Sequence, residues 1–287
     1  MFRWTLIVLS LAVSGSAFAQ RDLSGVEIKA TQLSDRVYML EGRGGNIGVS
    51  IGKDGVLIID DQFAPLAGKI RAVIGELGGA DPTFILNTHH HGDHTGGNAS
   101  FGKKGVIIAH RNVRNRLAAK RVKDRPLPET ALPEITFHEG LSIHFNGEEL
   151  RVVHFPNAHT DGDGVVFFTE SSVVHTGDLF FNGRFPYVDL SSGGSVQGYT
   201  EAVRSLLKQI PLDAKIIPGH GPLAGLDDLR TSLEMLEMTT DLVRKAISAG
   251  QTLEEIQAAG VPEKWQSWGE GWMSTHRWLS IVYNSYK

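Results

Sequence analysis

The sequence predicts an α/β protein in which sheets are covered by helices, and three observations lead there. Apolar runs of strand length recur along the chain to residue 217, set off by glycine-rich turns. Amphipathic runs at helical spacing interrupt them. From about Leu223 the strand signals stop and helical ones take over, so residues 223–287 are expected to be a helical extension packed on the rest.

Arg3, the apolar stretch from Leu6 to Val13, and Ala17-Phe18-Ala19 match a secretory signal peptide over residues 1–19. The apolar stretch is too short to span a bilayer comfortably, so no stable membrane insertion is expected once it is cleaved. The mature chain, residues 20–287, is then a single periplasmic or secreted domain. Segments 36–41, 46–51 and 56–59 read as an antiparallel meander separated by Gly42-Arg-Gly-Gly45 and Gly52-Lys-Asp-Gly55. Leu66, Ile70, Val73, Ile74 and Leu77 mark a helix that Gly78-Gly79 ends, and residues 84–86 form a buried-type strand.

Residues 106–109 are a strand and 112–123 a basic helix. Strands are expected at 135–137, 141–145, 150–155, 165–169 and 173–175. Val196, Tyr199, Val203, Leu206, Leu207 and Ile210 define a further amphipathic helix before a short strand at 215–217. Leu226, Leu229, Leu233 and Leu236 make one helical stripe, and Thr252-Leu-Glu-Glu255 is a capping box. Trp265, Trp268, Trp272, Trp278 and Tyr283 crowd the tail, where packing against the domain is the expected role.

Composition narrows the chemistry. The 287 residues contain no cysteine, which removes disulfides, thiolate metal sites and cysteine nucleophiles; any metal needs nitrogen and oxygen ligands. With 28 basic and 32 acidic residues evenly mixed, no basic run neutralises a series of phosphates, and nucleic acid is not an expected partner. A small-molecule substrate is; oligomeric state is not legible.

The chemical signal is concentrated in Asn87-Thr-His-His-His-Gly-Asp-His-Thr-Gly97. His89 and His91 project from one face of extended chain, and Asp93 and His94 follow Gly92, where the backbone can bend. Imidazole and carboxylate suit zinc. Three later strand ends run into glycine-containing turns with further donors: His159, Asp178 and His220.

With these residues in place, the chain resembles the metallo-β-lactamase-fold superfamily, whose His-x-His-x-Asp-His signature reads here His89-His90-His91-Gly92-Asp93-His94. The resemblance covers about residues 37–222. It implies a four-layer αβ/βα sandwich and a hydrolase using two zinc ions, with iron or manganese as alternatives. His89, His91 and His159 would hold the first metal, Asp93, His94 and His220 the second, and Asp178 would bridge them. Asp93 would also act on the attacking water as the catalytic residue. No Gly-x-Ser-x-Gly elbow suggests a serine mechanism.

Within that superfamily, aspartate rather than cysteine at 178 resembles the glyoxalase II, lactonase and esterase branches, so esters, thioesters or lactones are the expected substrates. A periplasmic zinc β-lactamase and a single-iron persulfide dioxygenase are the alternatives, with Arg184 as the candidate grip for a lactam carboxylate. Asp60 resembles the superfamily's structural aspartate, Asp163 is expected to hold the His159 loop, and His175 to pack behind Asp178. His110 is a candidate partner for a ligating imidazole, whereas His90 is expected to point away from the metals. His138, His144, His154 and His276 read as surface or packing residues. Phe63, residues 180–187 and the tail are expected to select substrate.

Overall fold

A computed structural model describes residues 22–287; the expected signal peptide, residues 1–19, lies outside the described residues. The chain starts with the antiparallel strands β1 (Lys29–Gln32), β2 (Val37–Glu41), β3 (Ile47–Gly52) and β4 (Gly55–Ile59). Helix α1 (Ala67–Glu76) leads to β5 (Phe84–Asn87), and the short helices α2 (Gly92–Thr95) and α3 (Asn98–Phe101) lead to β6 (Val106–His110). Helix α4 (Arg111–Ala119), the hairpin β7 (Arg121–Val122) with β8 (Arg125–Pro126), and β9 (Ile135–Phe137) follow. The first sheet has the order β1-β2-β3-β4-β5-β6-β9, and β4, β5, β6 and β9 run parallel. Their C-terminal ends therefore share one rim.

The second sheet contains β10 (Gly140–Phe145), β11 (Glu148–Phe155), β12 (Asp163–Phe168), β13 (Val173–Phe181) and β14 (Lys215–His220), in that order. All its pairs are antiparallel except β13 with β14. Helix α5 (Val196–Gln209) crosses between those two, and α6 (Leu226–Ser248), α7 (Leu253–Ala259) and α8 (Thr275–Tyr286) finish the chain.

Period-two side-chain alternation produces the layers. On β4, Leu57 and Ile59 face the second sheet, where they meet Phe145, Leu150, Val166 and Ile217. Val56 and Ile58 face the opposite way, onto Leu66, Ile70 and Ile74. Such strands are buried on both faces, which is why they read as unbroken apolar runs. The outer face of the second sheet carries Phe155, Val165, Phe167, Val174 and Ile216 against α5, α6 and α8. The result is the helix–sheet–sheet–helix sandwich, with the tail helices forming part of the fourth layer. Among the described residues no helix is long and apolar enough to cross a membrane.

Most expected elements are present, and the differences have local causes. The basic helix stops at Ala119 rather than residue 123, because no apolar residue follows Leu117 on its buried face and the chain turns at Lys123 and Asp124 with positive φ. Strand β1 is almost wholly exposed, so it lacks the alternation that would announce it. Strand β13 continues through Asp178 to Phe181, past the expected end at residue 175. Its pairing with β14 shifts register on both sides of Gly177, whose φ is +51. Glycine adopts that conformation without strain, and a Cβ there would also run into the Thr88 side chain.

Candidate metal centre

The rim where both sheets end gathers all seven expected donors. His89, His91, Asp93 and His94 come from the turn between β5 and α3, His159 from the turn after β11, Asp178 from the irregular stretch of β13, and His220 from the end of β14. The two sheets are tied together at this rim. Gly164 N donates to Thr88 O at 2.8 Å and Asn46 N to Gly219 O at 2.8 Å. The Asn46 amide donates to the Pro218 and Gly221 carbonyls, both at 2.9 Å. His175, packed behind Asp178 as expected, reaches Asn46 O at 3.1 Å.

The seven expected donors fall into two clusters: His89, His91, His159 and Asp178, and beside them Asp93, His94 and His220. Asp178 stands between these. Its Oδ2 is 3.3 Å from His159 Nε2 and 3.7 Å from His89 Nε2. Its Oδ1 is 3.1 Å from His94 Nε2 and 3.4 Å from His220 Nε2. Oδ1 is buried and accepts no hydrogen bond of good geometry. A buried carboxylate oxygen in that state is costly unless a cation meets it.

Hydrogen bonds on the outer side of the imidazoles fix what the inner side offers. His159 Nδ1 is 2.7 Å from Tyr187 O, which only accepts, so Nδ1 carries the proton. His91 Nε2 donates to Asp189 Oδ2 at 3.0 Å, and His94 Nδ1 to Asp60 Oδ2 at 2.7 Å. Thr88 Oγ1 donates to Asp60 Oδ2 at 2.7 Å and therefore accepts from His89 Nδ1 at 3.0 Å. The inward nitrogens are left with lone pairs. His91 Nδ1 sits 3.1 Å from His89 Nε2 and 3.0 Å from His159 Nε2. Three lone pairs converging in a buried pocket repel one another unless a cation lies among them. The donor set, all nitrogen and oxygen, fits a divalent metal.

The electrostatics agree. Burial lowers the pKa of His89 well below the ordinary value and that of His159 to about 4, so both keep their lone pairs at neutral pH. Burial also opposes a charged His94, yet the carboxylates of Asp178, Asp60 and Asp93 outweigh it and raise its pKa well above normal. Burial pushes Asp178 toward the neutral acid, but the imidazoles of His94, His220, His89 and His159 hold it well below the usual carboxylate range. The carboxylates thus create a negative potential that favours a positive charge at His94, supplied by a proton or, in its place, a metal ion, while His89 and His159 stay neutral.

Asp60 performs the supporting role expected of it, accepting from Thr88 N at 2.8 Å as well as from the Thr88 hydroxyl and His94. It does so from a positive φ of 64, a conformation Asp tolerates better than most residues. Gly45 makes room for the His94 ring, which a Cβ at that position would overlap. Asp163 holds the His159 turn by accepting from Thr160 N at 2.8 Å and from the Thr160 hydroxyl at 2.5 Å.

His110 departs from expectation. It touches none of the seven donors; its ring stacks on His154 at 3.8 Å and its Nδ1 accepts from Asn112 N. His90 belongs to neither of these clusters; it forms a third group of potential donors with His91 and Asp189, its ring tilted against His91, and burial lowers its pKa to about 3. Arg184 is exposed on the turn after β13. Asp189 and the Tyr187 carbonyl, which orient two of the imidazoles, were not singled out from sequence. Neither has a glycine-turn context, and a backbone carbonyl has no sequence signal at all.

Access is one-sided. His91, Asp93 and His220 retain side-chain exposures of 20%, 30% and 19%, while the other four donors are sealed. A molecule from solvent meets these three first.

A two-sheet sandwich with a carboxylate-centred histidine cluster at its rim defines a class of metal-binding proteins. The model of the metallo-beta-lactamase superfamily matches residues 40–220, and the chain belongs to that superfamily. A hydroxyacylglutathione hydrolase of Pelagibacter ubique is 32% identical over 143 residues, which cover 48% of this chain and 51% of that one. The chain thus spans about half the length of that relative. A probable metallo-hydrolase, YqgX, of Bacillus subtilis is 32% identical over 181 residues, covering 58% of this chain and 83% of that one. Among solved structures, a metallo-beta-lactamase from Pontibacter korlensis superposes with a TM-score of 0.63 at 17% identity, covering 74% of this chain and 99% of that chain.

Proposed function

We propose that the protein is an exported dizinc hydrolase of esters, thioesters or lactones. The observation that carries this reading is Asp178, whose two oxygens face two separate donor clusters, as a carboxylate shared by two ions would. His89, His91 and His159 would hold one zinc, and Asp93, His94 and His220 the other. The bound ions would supply a water acidic enough to attack near neutral pH and the Lewis acidity that polarises a carbonyl.

The chain's own residues do the rest. Asp60, Thr88, Asp189 and the Tyr187 carbonyl hold four imidazoles in the tautomer that keeps lone pairs inward. Asp93 is the most exposed of the seven, with Oδ2 3.4 Å from His220 Nε2. From there it accepts a proton from the attacking water and returns it to the departing oxygen or sulfur. Ester and thioester preference over β-lactams rests on aspartate rather than cysteine at 178 and on relatives named as hydrolases of an acylglutathione and of unspecified substrates. Export rests on the pattern of residues 1–19.

The test is a substrate panel on protein whose metal content is measured: nitrophenyl esters, S-lactoylglutathione, acyl-homoserine lactones and a chromogenic β-lactam. Two zincs per chain and turnover of the first three classes are expected. Full activity after Asp93→Ala and His220→Ala together would overturn the reading.

A further inference from the structure

The tail contains one tryptophan that does not behave like its neighbours. Trp265 and Trp278 are fully buried and Trp268 half-buried, as an aromatic tail packed on the domain requires. Trp272 is 58% exposed. It is nevertheless held in place. The Arg277 guanidinium lies 4.6 Å over its ring and donates through Nη1 to the Trp272 carbonyl at 2.8 Å. Ser274, between them, caps α8 by accepting from Arg277 N. An exposed indole fixed by a stacked cation and a capped helix loses little freedom when a ligand covers it.

Its position relative to the donors gives it a use. The Tyr187 ring stands edge-on to Trp272 at 5.6 Å. Tyr187 is in turn 5.8 Å from the His91 ring and 5.9 Å from that of His159. Imidazole, phenol and indole therefore form a continuous wall running outward from the His91 side of the mouth. Asp93 lies toward the other side, next to His220. If Asp93 returns the proton to the leaving group, the leaving group sits on its side. The acyl group then extends the opposite way, along Tyr187 and Trp272.

We infer that Trp272 is a specificity-determining residue that receives the apolar acyl group of the substrate, selecting medium-length or aromatic acyl esters over acetyl ones. The inference rests on the hydrolase reading above and adds the substrate class to it. Trp272 acts by contact with the acyl chain; Arg277 is a positioning residue that holds the indole.

The experiment compares zinc-loaded wild type, Trp272→Ala and Trp272→Phe on nitrophenyl acetate, hexanoate and octanoate. In parallel, octanoate, the unreactive product, is titrated calorimetrically. One-sided burial of a methylene is worth about a twofold gain, so kcat/KM of the wild type is expected to rise about 30-fold or more from acetate to octanoate. Trp272→Ala should flatten that series to within about threefold, through KM, with octanoate losing most and acetate least, and Trp272→Phe should keep most of the preference. Octanoate should bind the wild type at least about tenfold more tightly than Trp272→Ala. Should the wild type bind octanoate through Trp272 but hydrolyse no ester, the hydrolase reading fails and the acyl subsite stands. A Trp272→Ala enzyme that keeps both chain-length preference and octanoate affinity overturns the inference while leaving hydrolysis intact.

Discussion

Replacing Asp60 by asparagine changes one atom in a fully buried position and should weaken one of the two metal sites proposed above. The wild-type carboxylate accepts from Thr88 N at 2.8 Å with Oδ1, and from Thr88 Oγ1 and His94 Nδ1, both at 2.7 Å, with Oδ2. The amide keeps one acceptor, which stays with the fixed Thr88 N–H. Its NH2 then faces the other two groups, both donors in the wild type. The Thr88 hydroxyl can rotate and accept, but His94 can accept only by moving its proton to Nε2. That is the nitrogen 3.1 Å from Asp178 Oδ1, where a lone pair is required. Loss of such an orienting partner weakens metal affinity by about 10- to 100-fold, or roughly 1.4–2.7 kcal/mol. In the other cluster His91 and His159 keep their geometry from Asp189 and Tyr187, and the Thr88 hydroxyl, accepting from the new amide with one lone pair, still accepts from His89 Nδ1 with the other. Zinc content after dialysis against graded chelator should therefore fall in two separated steps in Asp60→Asn, the first at about 10- to 100-fold lower chelator strength than in the wild type. Superimposable chelator profiles would refute the tautomer argument.

Two further outcomes follow from the packing and the charges. Trp278 is fully buried, stacks on Phe185 at 5.9 Å and donates from Nε1 to Thr239 Oγ1 at 3.0 Å, so Trp278→Ala should lower stability by about 3–5 kcal/mol, measured by urea unfolding. Burial raises the pKa of Asp163 to about 7, although its bonds to Thr160 pull it down. The folded protein thus retains a proton that the unfolded chain, with a pKa of 3.8, has already released. Stability of the metal-free protein should fall as pH rises from about 4 to 7 and level off above, by about 4 kcal/mol at most. In Asp163→Asn, whose amide satisfies both Thr160 groups at every pH, that component should be missing from pH-dependent unfolding curves.

The legible parts of the sequence were those with strong periodicity. Strands β4, β5 and β6 announce themselves because both of their faces are buried, and α5 because Val196, Tyr199, Val203 and Leu206 fall on one side. Exposed β1 and the two-residue strands β7 and β8 bury too little to leave a pattern. The four-layer arrangement came from the superfamily resemblance rather than from periodicity, because which sheet face meets which is a long-range choice. For the site, all seven donors could be named because each stands beside a glycine turn or inside the histidine motif. The support around them was only half visible. Asp60 and Asp163 terminate or begin strands, a position sequence can flag, while Asp189 reaches His91 from 98 residues away. His110 was misplaced because the end of β6 lies on the same rim yet faces His154 rather than the donors.

The division of the donors between the two sheets bears on how the protein is made and kept. The first sheet and its turns contribute His89, His91, Asp93 and His94; the second contributes His159, Asp178 and His220. Neither half alone can coordinate an ion as the assembled rim can, so affinity for metal is created only when the halves close on each other. A ligand bound solely by the closed form acts as a reversible clasp. An ion held there would add RT ln(1 + [metal]/Kd) to the work of prising the sandwich open, about 2.7 kcal/mol at a hundredfold excess over Kd. The durability of the fold would thereby be set in part outside the polypeptide, by how much free metal its surroundings hold.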